Sequence, residues 1–156
     1  MKVNILMKKN GNGYTKEYYD GKLIFEGEYL NGERNGKGKE YDCMTKKLIF
    51  EGKYYNGKRN GKGKEYDYDG NLKFEGEYIN DKEWEGKYYE NGVLKFEGEY
   101  LNGERNRKGK EYSDNGELLF EGEYLKGCKW NGKWKEYGYK GKLKFEGEYL
   151  NGKRNG

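Results

Sequence analysis

Six copies of one five-residue pattern, Phe-Glu-Gly-Glu-Tyr or a single substitution from it, begin at Phe25, Phe50, Phe74, Phe96, Phe120 and Phe145. Their spacings are 25, 24, 22, 24 and 25 residues in a chain of 156. Self-similarity at a near-constant period of roughly 20–50 residues is the mark of a repeat architecture, in which each unit is one supersecondary element stacked on its neighbours. Such a chain grows by addition and has no single globular centre. The period divides it into a lead-in over residues 1–10 and an array over residues 11–156, with a partial unit before 25 and an incomplete last unit after 145.

The unit starting at Phe50 shows what one copy can become. Over residues 48–54, Leu48, Phe50, Gly52 and Tyr54 alternate with Ile49, Glu51 and Lys53. Period-two alternation with aromatic enrichment predicts a strand. Asn56-Gly57 predicts a tight turn, because both residues tolerate the positive φ that hairpin turns demand. A second strand is expected over residues 61–66, closed by Asp69-Gly70. No window carries a capped 3.6-residue pattern. The fold class expected is therefore all-β: an elongated, single-layer antiparallel meander of about six hairpin repeats of 22–25 residues.

The core expected is aromatic. Leu, Ile, Val and Phe together number 24 of 156 residues, low enough to suggest disorder in a strongly charged chain, but 32 basic and 28 acidic residues nearly cancel. Eighteen Tyr and three Trp restore apolar area, each burying a large surface at low rotamer cost. The repeated inward set is Phe25, Gly27 and Tyr29; Phe50, Gly52 and Tyr54; Phe74, Gly76 and Tyr78; Phe96, Gly98 and Tyr100; Phe120, Gly122 and Tyr124; Phe145, Gly147 and Tyr149. Glycine fixed within strands marks close approach of a neighbouring group, here an aromatic ring. Glu26 and Glu28 then face outward, with Lys37 and Lys39 answering them on the next strand, as Lys108 and Lys110 answer Glu97 and Glu99.

Composition argues against catalysis. There is no His, so the side chain best suited to proton transfer near neutral pH is missing, and no imidazole can activate Ser113, Cys43 or Cys128. The stretch from Gly57 to Gly63 has the wrong spacing for a phosphate loop, and the stretch around Asp67-Tyr68-Asp69-Gly70 lacks the closing Glu of a calcium loop. No cofactor or metal is expected. Cys43 and Cys128, 85 residues apart, are expected as separate thiols, which suits a reducing compartment. The apolar stretch Val3, Ile5, Leu6 and Met7 is too short for a signal-peptide core, and no run reaches membrane-span length. A cytoplasmic protein, peripheral at membranes or cytoskeleton, is expected.

The stretch Phe-Glu-Gly-Glu-Tyr-Leu-Asn-Gly-Glu-Arg-Asn-Gly-Lys-Gly at 25–38 resembles the MORN repeat: aromatic-x-Gly-x-aromatic, then Asn-Gly, a basic pair and Gly-x-Gly. Tyr88-Tyr89-Glu90-Asn91-Gly92-Val93-Leu94-Lys95-Phe96-Glu97-Gly98 and Gly132-Lys133-Trp134-Lys135-Glu136-Tyr137 are similar to the MORN-variant repeat, found also in bacterial antitoxin-like proteins. The resemblance implies a non-enzymatic scaffold for protein–protein interaction. It also implies phosphoinositide-linked, membrane-proximal roles, or service as the accessory segment of a larger protein such as a lipid kinase.

Two candidate sites follow. Arg34, Arg59, Arg105 and Arg154, with Lys37 and Lys62, are expected to form a basic turn edge able to meet anionic membrane lipid. Acidic turns, with Asp20, Asp67, Asp69, Glu90 and Asp114, would lie on the opposite edge. Trp84 and Trp130, which fall outside the repeat consensus, are the candidate patch for an unidentified protein partner, since Trp is enriched at binding hot spots. Nucleic acid is disfavoured, because Glu matches Lys along the chain. Self-association through an edge strand is a further expectation, from the strand beginning at Phe145.

Overall fold

The computed structural model describes residues 3–6 and 11–155. They divide into two compact units, residues 1–82 and 83–156. The first holds β1 (Val3–Leu6), β2 (Gly13–Tyr19), β3 (Lys22–Leu30), β4 (Glu33–Tyr41), β5 (Leu48–Tyr55), β6 (Lys58–Tyr66) and β7 (Leu72–Ile79). In the second are β8 (Lys82–Glu90), β9 (Val93–Leu101), β10 (Glu104–Tyr112), β11 (Leu118–Leu125), β12 (Cys128–Tyr137), β13 (Leu143–Leu150) and β14 (Lys153–Asn155). One 3-10 turn, Tyr139–Gly141, separates β12 from β13. Within each unit every strand pairs antiparallel with the next in sequence, so the fold is the all-β meander of hairpin repeats that the periodicity predicts. Residues 3–6 of the lead-in are part of the meander, as β1 paired to β2. No described helix is long and apolar enough to cross a membrane.

Turn chemistry explains where the strands begin. Asn56 and Gly57 have φ of 47° and 77°, and Asn31–Gly32 and Asn102–Gly103 repeat this. Positive φ at both central residues is the two-residue type I′ turn, whose twist matches that of the flanking strands. The loop is therefore only two residues long, and β4, β6 and β10 start at Glu33, Lys58 and Glu104. The arginine after each turn becomes the second residue of a strand.

The core is a file of rings along one face. Phe25, Phe50, Phe96 and Phe120 are fully buried, and Phe74, Tyr29, Tyr54, Tyr78 and Tyr124 nearly so. Within each unit Phe packs edge-to-face on the Tyr of the following repeat: Phe25 on Tyr54 at 5.2 Å, Phe50 on Tyr78 at 5.1 Å, Phe96 on Tyr124 at 5.2 Å and Phe120 on Tyr149 at 5.6 Å. Such pairs add about 0.5–1.5 kcal/mol beyond area burial, and here they couple neighbouring repeats. The last copy departs from the inward set, with Phe145 at 41% exposure. Its outer neighbour β14 is three residues long and pairs only with Glu148, Tyr149 and Leu150, so no described strand lies beside Phe145 on that side.

Glycine in the strands answers to the rings. A Cβ at Gly63 would sit 2.5 Å from Phe50 Cζ and 3.2 Å from Tyr78, and one at Gly38 would sit 2.4 Å from Phe25 Cζ. Gly63→Ala overpacks this point and is expected to cost about 1–3 kcal/mol, read as a lowered midpoint in urea with the slope unchanged.

Candidate functional site

The inner face carries a polar chain above the rings. In the first unit, Arg34 donates from Nε and Nη2 to Glu17 at 2.7 and 3.0 Å and reaches Glu40 at 3.5 Å. Arg59 donates to Glu40 at 3.2 and 2.8 Å and reaches Glu65 at 3.6 Å, and Lys73 donates to Glu65 at 2.6 Å. The core tyrosines join the same carboxylates: Tyr29 to Glu17, and Tyr54 to Glu40 at 2.5 Å. Each guanidinium also covers a core ring, Arg34 over Phe25 and Arg59 over Phe50, both at 4.0 Å. In the second unit Glu111 collects Arg105 at 3.0 Å, Lys129 at 2.8 Å and Tyr124 at 3.2 Å, with Arg105 lying 4.4 Å over Phe96. Delocalised guanidinium suits this double duty, planar enough to stack and forked enough to bind carboxylate.

These contacts fix the protonation states. Burial alone would raise the Glu17 carboxyl, but hydrogen bonds from Arg34 and Tyr29 and the Arg34 charge hold it below its ordinary value. Glu40 behaves alike: burial opposes ionisation, and Arg59 with Tyr54 overcomes it. Burial, then the carboxylate partner, pushes Tyr29 up to about 12. A carboxylate depressed by folding stabilises the fold above its unfolded value, and that stability is lost as pH falls through the folded value. A phenol raised by folding stabilises below its unfolded value and fails as pH rises. The midpoint of denaturation is therefore expected to be flat across neutral pH, to fall progressively below pH 4.5, and to fall again above pH 10.0. Thermal melts across a pH series check both limbs. With Glu17 and Glu40 held ionised and Tyr29 held protonated, these contacts clamp neighbouring strands together.

The basic residues expected to share one turn edge are divided between the two faces. Arg34, Arg59 and Arg105 start strands rather than cap turns, because the I′ loop has only two residues, and they fold inward over Phe. Arg154 is exposed, 4.3 Å over Trp134, and donates to the Tyr149 hydroxyl at 3.0 Å. Lys37 and Lys62 are exposed on the opposite face. There Glu26 lies opposite Lys39 and Glu97 opposite Lys110, as expected for the charge ladder. Glu28 instead accepts from the Lys37 backbone N–H at 2.7 Å, in the bulge between Gly27 and Tyr29. The carboxylates Glu17, Glu40, Glu65 and Glu111 are the residues that sequence reasoning missed. Their signal is parity: Glu40 lies two residues from Gly38 in Lys-Gly-Lys-Glu-Tyr and so points to the ring face.

Trp84 and Trp130 occupy one equivalent position. The bulge of β4 sets three residues, 35–37, against Glu28, whereas β12 sets only Trp130 and Asn131 against Glu123. Lys82-Glu83-Trp84-Glu85-Gly86 aligns with Cys128-Lys129-Trp130-Asn131-Gly132 on the same short count, with Gly86 and Gly132 each opposite a repeat glycine. Both indoles are half-buried. Trp130 lies beside Gly152, whose backbone N–H donates to the Trp130 carbonyl at 2.9 Å, and Arg107 lies 5.7 Å from the Trp84 ring. Trp134 is different: it is buried and stacks on Phe145 at 5.2 Å, filling the aromatic layer.

The MORN repeat family model matches residues 25–43, 50–72, 96–117 and 145–156, and the chain is a MORN repeat protein. No curated protein matches it. MORN repeats occur in protein-binding and membrane-associated proteins, and the family is generally a non-catalytic repeat module. Trp84 and Trp130 both fall between the matched segments.

Proposed function

We propose that this chain is a non-enzymatic scaffold that binds a protein partner through Trp84 and Trp130. The observation that carries this reading is their equivalence. Two repeats are one residue shorter in sequence, from Tyr78 to Gly86 and from Tyr124 to Gly132, and each places a half-buried indole in that stretch, while the matched repeats carry Asn35, Asn60 and Asn106 at that strand position. A large ring held by its own strand offers contact area at low entropic cost. Two such rings, two repeats apart, would engage one elongated partner at both points, and the second contact then gains from effective concentration.

The test is capture of a partner by the immobilised chain, followed by titration of the purified pair. Trp84→Ala and Trp130→Ala are each expected to weaken binding by about 30-fold, corresponding to about 2 kcal/mol. Retained affinity in the double variant, with unchanged circular dichroism, sinks the reading.

A further inference from the structure

The face opposite the rings carries two rows of charge with bare backbone between them. One row alternates strictly. Lys16, Glu26, Lys39, Glu51, Lys64 and Glu75 stand opposite one another in turn across β2–β7. Lys87, Glu97, Lys110, Glu121, Lys133 and Glu148 do the same across β8–β13. In the second unit the space between the rows is a trough of about 660 Å³ floored by Gly86, Gly98, Gly109 and Gly122.

The other row distinguishes the units. In the first it reads Lys37, Lys53, Lys62 and Glu77, with Lys37 directly opposite Lys53, Lys62 next across the bulge between β5 and β6, and Glu77 directly opposite Lys62. Lys53 is the one residue of the six pentapeptides that breaks the pattern, standing where the others have Glu28, Glu77, Glu99, Glu123 and Glu148. All three lysines are exposed, and none forms an ion pair with a described residue. In the second unit the row reads Glu85, Glu99, Lys108 and Glu123, with Glu85 directly opposite Glu99. Among the described residues only the exposed Arg107, at 3.6 Å, forms an ion pair with Glu99. Like charges set opposite each other on neighbouring strands destabilise a sheet. Each unit thus keeps an unfavourable pair at the same place in its outer face, and the two pairs have opposite sign.

We propose that these faces are complementary halves of a self-association surface: the Lys37–Lys53 pair of one copy docks on the Glu85–Glu99 pair of another. Both faces share a strand spacing of about 4.8 Å, so a shift of one strand sets Lys against Glu along the alternating rows too. Complementary potentials of this kind set register and speed encounter. A second copy fits better than a polyanion, because Glu26, Glu51 and Glu75 stand beside the lysine row and would repel phosphate.

Sedimentation of the full chain over a concentration series, at low and at high salt, reads the outcome. Salt-sensitive self-association is expected. Lys53→Glu, which installs the residue of the other five copies, and Glu99→Lys should each weaken it by about tenfold or more without lowering the thermal midpoint, since each replaces a like-charge pair with an opposite-charge one. Mixing the two variants should restore association. The carboxylate introduced at position 53 of one chain then meets the ammonium introduced at position 99 of the other, and the second pairing is the native one. A monomer at every concentration and salt overturns the proposal, as does association that either variant leaves intact, or folded variants whose mixture stays apart. So does binding to phosphatidylserine vesicles that depends on Lys53 in a chain that does not self-associate, which would give the patch to a membrane.

Discussion

Phe50→Ala is expected to remove about 3–5 kcal/mol of stability, the range for losing a fully buried aromatic side chain together with the cavity it leaves. Phe50 has no exposed surface and meets Tyr54 at 5.7 Å, Tyr78 at 5.1 Å and the Arg59 guanidinium at 4.0 Å. These partners lie on three successive strands, β5 to β7, so the loss reaches beyond its own hairpin. A small domain's whole margin is about 5–15 kcal/mol, and this single change consumes a large part of it. Phe145→Ala makes the matched comparison, same residue and same repeat slot. With 41% of its surface already exposed, it is expected to cost about 1 kcal/mol or less. Urea denaturation of the pair measures the difference, and equal losses would contradict the burial described for the inner face.

Glu40→Ala is expected to cost about 2–4 kcal/mol, somewhat below the range for breaking a fully buried ion pair because the carboxylate keeps 18% of its surface. Glu40 receives Arg59 through two hydrogen bonds, Arg34 at 3.5 Å, and the Tyr54 hydroxyl. Its removal leaves a half-buried guanidinium without its bidentate partner and a buried phenol without its acceptor, and unmet buried groups cost more than the bonds that satisfied them. Glu40→Gln keeps the shape and one acceptor, so it should recover part of the loss. The acid limb of the pH profile should also shrink in Glu40→Gln, since one depressed carboxylate no longer contributes. Stability of Glu40→Ala equal to that of the parent would show that the clamp is passive.

Much of this fold was legible in the residues. Alternation placed Phe25, Gly27 and Tyr29 on one face and Glu26 on the other, and Asn-Gly located the turns. The destination of Arg34, Arg59 and Arg105 was not legible. Turn residues and the first residues of a strand look alike in sequence, and only the two-residue length of the I′ loop moves the arginine from the edge of the sheet to its inner face. Once there, a flat cation above a phenyl ring and a carboxylate at Glu40 or Glu65 leave it little reason to face solvent. Trp84 and Trp130 could be picked out as departures, but their shared position emerged only when the bulges of β4 and β12 were counted. The three lysines at 37, 53 and 62 escaped notice because they lie on three strands, and pairing alone brings them side by side.

Those same departures bear on how the chain finds its fold. Strands β3, β7, β9, β11 and β13 carry one identical pentapeptide, so a growing chain could close a hairpin on the wrong copy with nearly the same local contacts. A mispaired array would leave some copy looped out, yet each local step would look correct. The shortened stretches that carry Trp84 and Trp130, and the longer β12, make particular strands non-interchangeable, because they differ in length from the other copies. Restoring every copy to consensus would then give an array with cleaner repeats and a less certain route to one topology.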